Sequence, residues 1–439
     1  MFRRCLSLSL PLMLVASSAF ADEVAPVVNS GNTAWLLLSA ALVMLMTPGL
    51  AFFYGGMVNQ KNVVSTLLQN YVALALVGII WIVVGYSLVF TEGSSLLGGY
   101  DAVMLKGVAN TLYSPDSGIP NMAFMAFQMM FAIITPALIT GAFAERVSFK
   151  AWLLILGLWS LLVYVPVAHW VWGPGGWILV DGGLDFAGGL VVHITAGFSA
   201  LVAALVFGKR KDNPMSHHYD VPMIMLGAAL LWFGWFGFNA GSALVAGELA
   251  SYAFVNTFVA AAVAFLVWML VDWARVGKPS AIGASIGLVV GLVAITPAAG
   301  FVTVSSAIVI GAVAALICNL VAAAVKRITH LDDALDVFAC HGVGGVIGAI
   351  LTGVFATKEV NPSIASEGLL ISGDSTLFIA NITGVVAVAL FSVVATFIII
   401  KFVNVLTPVR VDDMTEQAGL DHALHGEHVD HDVANSHKA

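Results

Sequence analysis

Residues 63–90 read VVSTLLQNYVALALVGIIWIVVGYSLVF, an apolar run without a charged side chain. At ~1.5 Å per residue, a helix over this stretch is roughly 40 Å long and exceeds the ~30 Å hydrocarbon core of a bilayer. A helix satisfies its own backbone groups where no water is present, so the run predicts a spanning helix. Similar runs recur near 33–56, 120–143, 150–171, 187–208, 221–240, 252–273, 280–297, 303–325, 337–356 and 376–403. The 439-residue chain is 60% hydrophobic and 10% charged, against roughly 25% charged for an ordinary soluble domain. Its mean hydropathy is +0.98. The predicted fold class is therefore an all-α polytopic membrane protein with eleven transmembrane helices.

The ends of the chain orient these spans. Arg3 and Arg4, the apolar stretch Leu6 to Val15 and the Ala19-Phe20-Ala21 site read as a cleaved signal peptide over residues 1–21. The mature chain then starts outside the cytoplasm, with a transmembrane transporter domain over 22–406 and a polar cytoplasmic tail over 407–439. Threading the spans from outside puts thirteen Lys and Arg residues in the cytoplasm and leaves Lys106 and Lys358 outside, a strong positive-inside bias. The expected location is the cell inner membrane. With 17 Lys+Arg against 25 Asp+Glu, no basic surface is available for nucleic acid. Cys5, Cys318 and Cys340 have no paired spacing, which argues against disulfides and thiolate metal sites.

Each run of five spans ends in a glycine-rich one carrying a single histidine: His193 after Gly188-Gly189, and His341 before Gly342-Val343-Gly344-Gly345. Five is odd, so the halves form two inverted five-helix repeats with the eleventh helix outside them. Such repeats characterise transporters, with the solute site at their interface. Ionisable groups at membrane depth are costly and few. They are Asp185, His193, Asp336, His341 and His169. A single intramembrane histidine ordinarily bonds one helix to another; two at comparable positions of inverted halves point to a shared central site. Neutral imidazoles donate and accept, so the pair would give an apolar passage a hydrogen-bonding track. No third ligand completes a metal site there.

The aromatic residues form a second pattern. Most of the 26 Phe fit packing or an interfacial belt. Trp172, Phe131, Phe238 and Ser242 differ because the threading puts all four in the outer halves of their spans. A Trp face, two Phe rings and a hydroxyl acceptor suit a small cation, at ~0.5 to 2 kcal/mol per cation–π contact.

Four stretches in order, Gly141-Ala142-Phe143-Ala144-Glu145-Arg146, Asp185-Phe186-Ala187-Gly188-Gly189 with His193, Trp235-Phe236-Gly237-Phe238-Asn239-Ala240-Gly241-Ser242, and Asp336-Val337-Phe338 with His341-Gly342-Val343, resemble the Amt/Mep/Rh ammonium transporter family, bacterial Amt type. The resemblance implies a homotrimeric, channel-like protein with one narrow pore per subunit and no enzymatic activity or cofactor. It assigns ammonium recruitment to Trp172, Phe131, Phe127 and Ser242, with Asp185 supporting the site. Phe131 and Phe238 become the gate at which ammonium is deprotonated, and His193 and His341 the pore pair. The tail stretch Glu416-Gln417-Ala418-Gly419-Leu420-Asp421 resembles the segment by which bacterial members bind a PII-type nitrogen regulator. His422, His425, His428 and His431 recur every three residues there, compatible with a solvated tail or with metal capture. A sensor that binds without conducting, and a carrier of methylammonium or carbon dioxide, stay open as alternatives.

Overall fold

The computed structural model describes residues 27–211, 219–328 and 331–429. The signal-peptide reading over 1–21 and the end of the tail with His431 lie outside the described residues. Among the described residues, ten helices are long and apolar enough to cross a membrane. In chain order they are α1 (Ser30–Met57), α2 (Gln60–Phe90), α3 (Asn121–Ala142), α4 (Phe149–Val180), α5 (Gly189–Phe207), α6 (Val221–Ala240), α7 (Glu248–Val276), then, after the shorter α8, α9 (Val304–Val325), α10 (Phe338–Phe355) and α11 (Thr376–Leu406). The eighth apolar run forms α8 (Ala281–Ile295), a helix below that length. Thr296 still has helical backbone, at φ −51° and ψ −48°, but Pro297 has no N–H with which to continue the ladder.

Local chemistry sets the helix starts. The side chains of Asn29, Ser148, Asp220, Ser280 and Thr303 each accept from a first-turn N–H, satisfying donors that a helix leaves unpaired. Near the C-terminal end of α4 the helix breaks over residues 173–176, where Gly173 packs tightly against His169. His169 is a structural residue: its ring nitrogens lie 2.7 Å from the Val89 carbonyl and 2.8 Å from the Ser94 carbonyl.

Helix α1 packs along α6, α7 along α8 and α9, and α5 against α11 and α10. The α5–α10 crossing matters most. A Cβ on Gly197 would lie 2.0 Å from the Gly342 nitrogen, so glycine at 197 permits a backbone contact that any larger residue would force apart. Both helices begin with a widened π-helical turn, over Gly189–Ile194 and Phe338–Val343, and each turn carries its histidine. Such turns add a residue to the helical cycle and often occur at functional sites.

On the face where α3, α5 and α9 end, Arg210 joins Glu145 at 2.6 Å and Asp332 at 2.8 Å. Burial alone would raise the Asp332 carboxyl, but the hydrogen-bonded Arg210 guanidinium holds it below the usual range. The tail docks on the same face. Asp421 accepts from the Val64 and Ser65 N–H groups at the start of α2, and Glu416 pairs with Arg410 at 2.8 Å. His425 contacts Ser65 and the edge of Phe149, so this histidine is packed and not freely solvated. No group of three or more metal-ligating side chains occurs among the described residues.

Candidate functional site

A cavity of about 560 Å³ opens at one end of the bundle and is lined in part by Phe131, Trp172, Asp185 and Ser242. Phe131 lies on α3 and Trp172 on α4, while Asp185 sits in the loop before α5 and Ser242 in the turn just after α6. The Trp172 indole donates to the Asp185 backbone carbonyl at 2.9 Å, which fixes its ring. It stands perpendicular to Phe131, with centroids 5.9 Å apart. The Ser242 hydroxyl donates to the Phe238 carbonyl at 2.8 Å, so its lone pairs are left to accept. Phe127 is buried and packs edge-on to Phe131 at 4.9 Å, bracing that ring.

Asp185 holds the loop that precedes α5. One carboxylate oxygen accepts from Gly188 and Gly189 at 2.9 and 2.6 Å; the other accepts from Leu190 and Val191 at 2.7 and 3.1 Å. Four first-turn donors are thereby satisfied by one side chain. Gly188, at φ +118°, turns the chain into the helix.

Beyond Phe131 the passage narrows. The Phe131 and Phe238 rings lie 4.2 Å apart, tilted by 33°. Past them is a cavity of about 10 Å³, roughly one water, lined by apolar side chains together with His193, His341 and Trp235. The His193 and His341 Nδ1 atoms are 3.2 Å apart. One Nδ1 must therefore donate and the other accept, leaving one Nε2 as an acceptor and the other as an N–H donor. Trp235 stacks on His193 at 5.5 Å and is itself fixed by a 2.9 Å bond to Thr296. His193 Nε2 is buried and has no hydrogen-bond partner among the described residues.

Reading the sequence missed one residue of this arrangement. Asp336 pairs with Lys326 at 2.7 Å; the carboxylate that caps α10 is Asp333, which accepts from the Phe338 N–H at 2.7 Å. The signal was present: Asp185 precedes His193 by eight residues, and Asp333 precedes His341 by the same eight. Burial pushes the Asp333 carboxyl up to about 7, reinforced by Asp336 and opposed by the Phe338 and Val337 N–H groups and by Arg146. An unfolded Asp loses its proton near ~3.9. The native chain keeps that proton longer, so this group's contribution is fully present below ~3.9 and is lost as pH rises through about 7. The melting temperature of Asp333→Asn in detergent should therefore gain several degrees on the parent between about pH 5 and pH 8. Parallel pH profiles would contradict this.

Comparison with known proteins places the geometry in context. A model of the Ammonium Transporter Family matches residues 34–429. An ammonium transporter of Bacillus subtilis (strain 168) is 49% identical over 397 residues, covering 90% of this chain and 98% of the relative. Ammonium transporter Amt1 of Archaeoglobus fulgidus is 43% identical, covering 91% and 99%. Among solved structures, Saccharomyces cerevisiae Mep2 superposes with a TM-score of 0.83 at 35% identity, covering 88% of each chain. A structure described as a sensor Amt protein gives 0.82 at 29% identity, covering 90% and 98%.

Proposed function

We propose, from the premise that this chain belongs to the ammonium transporter family, how its residues carry out ammonium transport. Members of this family are transporters and not enzymes. Ammonium is recruited at the outer cavity by the Trp172 and Phe131 rings and the Ser242 oxygen. Each is oriented by a bond of its own or a braced ring, so little ordering cost falls on binding. At the Phe131–Phe238 pair the cation meets a dry passage. Burial can lower an ammonium-type pKa by up to roughly 3 to 5 units, so the neutral form becomes competitive beyond the rings. Potassium has no neutral form and carries its full desolvation cost. Ammonia crosses bonded to the His193–His341 pair, whose complementary tautomers supply one acceptor and one donor.

The observation that carries this reading is the 3.2 Å imidazole contact in a one-water cavity, directly behind the Phe pair. Purified protein in liposomes should take up ammonium above the empty-vesicle rate. Saturable binding without uptake would favour a sensor. Trp172→Leu and Ser242→Ala should raise the ammonium concentration for half-maximal uptake, about fivefold to thirtyfold for the Trp. Unchanged concentration dependence in both variants would remove the recruitment site.

The chain is read as a homotrimer in the cell inner membrane, N-terminus outside, after loss of residues 1–21. The domain over 22–406 conducts, and the tail over 407–439 receives a PII-type regulator. The docked Asp421 and Glu416 support the last role, since they hold the tail on the face where such a protein would approach. Deletion after Val411 should abolish binding of a purified PII-type protein while ammonium uptake persists. Retained binding would move that contact to other loops.

A further inference from the structure

The chain just past α8 touches both histidine-bearing helices. A Cβ on Gly189, which opens the π-helical turn of His193, would lie 2.5 Å from the Pro297 Cβ. A Cβ on Gly348, in α10 beyond the turn of His341, would lie 2.9 Å from the Pro297 Cγ and 2.3 Å from the Ala294 carbonyl oxygen. The buried Pro297 ring is thus packed on a glycine of each helix. Its carbonyl also accepts from the Phe186 N–H at 3.1 Å, one residue past Asp185.

Thr296 stands beside that proline and outside the lining of the one-water cavity. Its hydroxyl donates to the Leu292 carbonyl at 2.7 Å and accepts from the Trp235 indole N–H at 2.9 Å. With its one proton given to Leu292, the oxygen meets the indole as an acceptor, which fixes the direction of that bond. Trp235 in turn reaches the cavity wall. The His193 ring has one hydrogen bond, at Nδ1 to His341, and none at Nε2 among the described residues. Its plane is therefore set by the aromatic faces stacked on it, of which Trp235 is the nearer at 5.5 Å and Phe238 the further at 6.1 Å.

We propose that Thr296, seated by Pro297, is a positioning residue for the paired histidines: its hydroxyl holds the Trp235 indole, and the indole face holds the His193 ring in line with His341. Packing of Pro297 on Gly189 and Gly348 keeps that hydroxyl in register with both histidine turns. The break after α8 is then part of the site, although neither Thr296 nor Pro297 lines the cavity. The effect on ammonia passage rests on the transport reading above; the effect on the two imidazoles does not.

Thr296→Val keeps the shape of the side chain and removes the acceptor, leaving the indole N–H unmatched in a dry interior. In liposomes the maximal ammonium uptake per folded protein should fall about tenfold or more, since a displacement of ~1 Å can cost about 100-fold. The half-saturating concentration should stay that of the parent, because Trp172, Phe131 and Ser242 keep their own contacts. Thr296→Ser returns the hydroxyl and should restore the rate. On a Trp235→Phe background, which lacks the indole donor, Thr296→Val should cost nothing further, whereas a purely structural Thr296 would cost the same on either background. Nitrogen NMR of histidine-labelled, full-length protein reads the imidazoles directly, the pair being the signals lost in the His193→Leu/His341→Leu double variant. Those signals should move in Thr296→Val and stay in place in Thr296→Ser; if Thr296→Val yields no folded protein, Trp235→Phe breaks the same bond from the other side and should move them too. Moved signals without any ammonium uptake by the parent would keep the positioning role and sink the transport reading. Unmoved signals, a parent-like maximal rate in Thr296→Val, or an equal further loss on the Trp235→Phe background would each overturn the inference.

Discussion

Replacing both His193 and His341 with leucine is expected to cut ammonium uptake by about 30-fold or more. The two rings are the polar side chains of a cavity holding roughly one water, so no solvent can take over their hydrogen bonds. Moving a polar solute past an unmatched apolar wall costs ~1 to 3 kcal/mol by protein measures, and two partners are lost. Leucine resembles imidazole in bulk, so the crossing at Gly197 and Gly342 should survive, which folded yield and melting temperature would check. A carboxylate acts differently. His193→Glu or His341→Glu can pair with an intact cation, so the passage should begin to move ammonium as a charged species and to admit potassium. Unaltered charge per ammonium and unaltered potassium exclusion in both Glu variants would make the histidines structural.

The second large effect belongs to Asp185. Its two oxygens match four N–H groups at 2.6 to 3.1 Å. In Asp185→Asn one oxygen becomes an NH₂, a donor facing donors, and two backbone groups lose their acceptor. At ~1 to 3 kcal/mol for each buried unmatched group, the variant should lose about 3 kcal/mol or more of local stability. The expected readout is a clearly lower yield of folded protein and a lower melting temperature in detergent, with uptake falling in the fraction that folds. Trp172 bonds to the same residue's backbone carbonyl, so displacement of this loop also misplaces the proposed recruitment face. Parent-like yield and parent-like uptake together would show that the carboxylate has no such role.

The spans were legible because burial in a bilayer imposes one rule, internal satisfaction of the backbone, on every crossing segment. Residues 63–90 were read as apolar, and the helix runs Gln60–Phe90. The run at 280–297 was read too long, because apolar composition continues past Ile295 while Pro297 has no N–H with which to continue the ladder. The candidate site was legible where a side chain is costly at membrane depth: His193 and His341 stood out by that cost together with their matching places in the two halves. His169 stood out equally and proved structural, since cost does not say whether a carbonyl waits opposite; here Val89 and Ser94 supply two. Asp333 was overlooked in favour of Asp336 because both acids precede α10, and only the fold decides which one meets the Phe338 N–H. The docked tail was equally hidden, as nothing local in Asp421 indicates that its partners are the Val64 and Ser65 N–H groups some 356 residues earlier.

Selectivity is the property that the proposed dry, histidine-lined passage would confer. Liposomes containing the purified protein, loaded with a potassium-sensitive dye and a pH-sensitive dye, can be challenged in turn with equal ammonium and potassium gradients at a fixed membrane potential. Ammonium should produce a pH change that saturates with concentration, while potassium entry stays at the level of empty vesicles. Potassium entry at a rate comparable with ammonium would mean that the intact cation passes the Phe131–Phe238 pair, and deprotonation could then no longer be the step that separates the two.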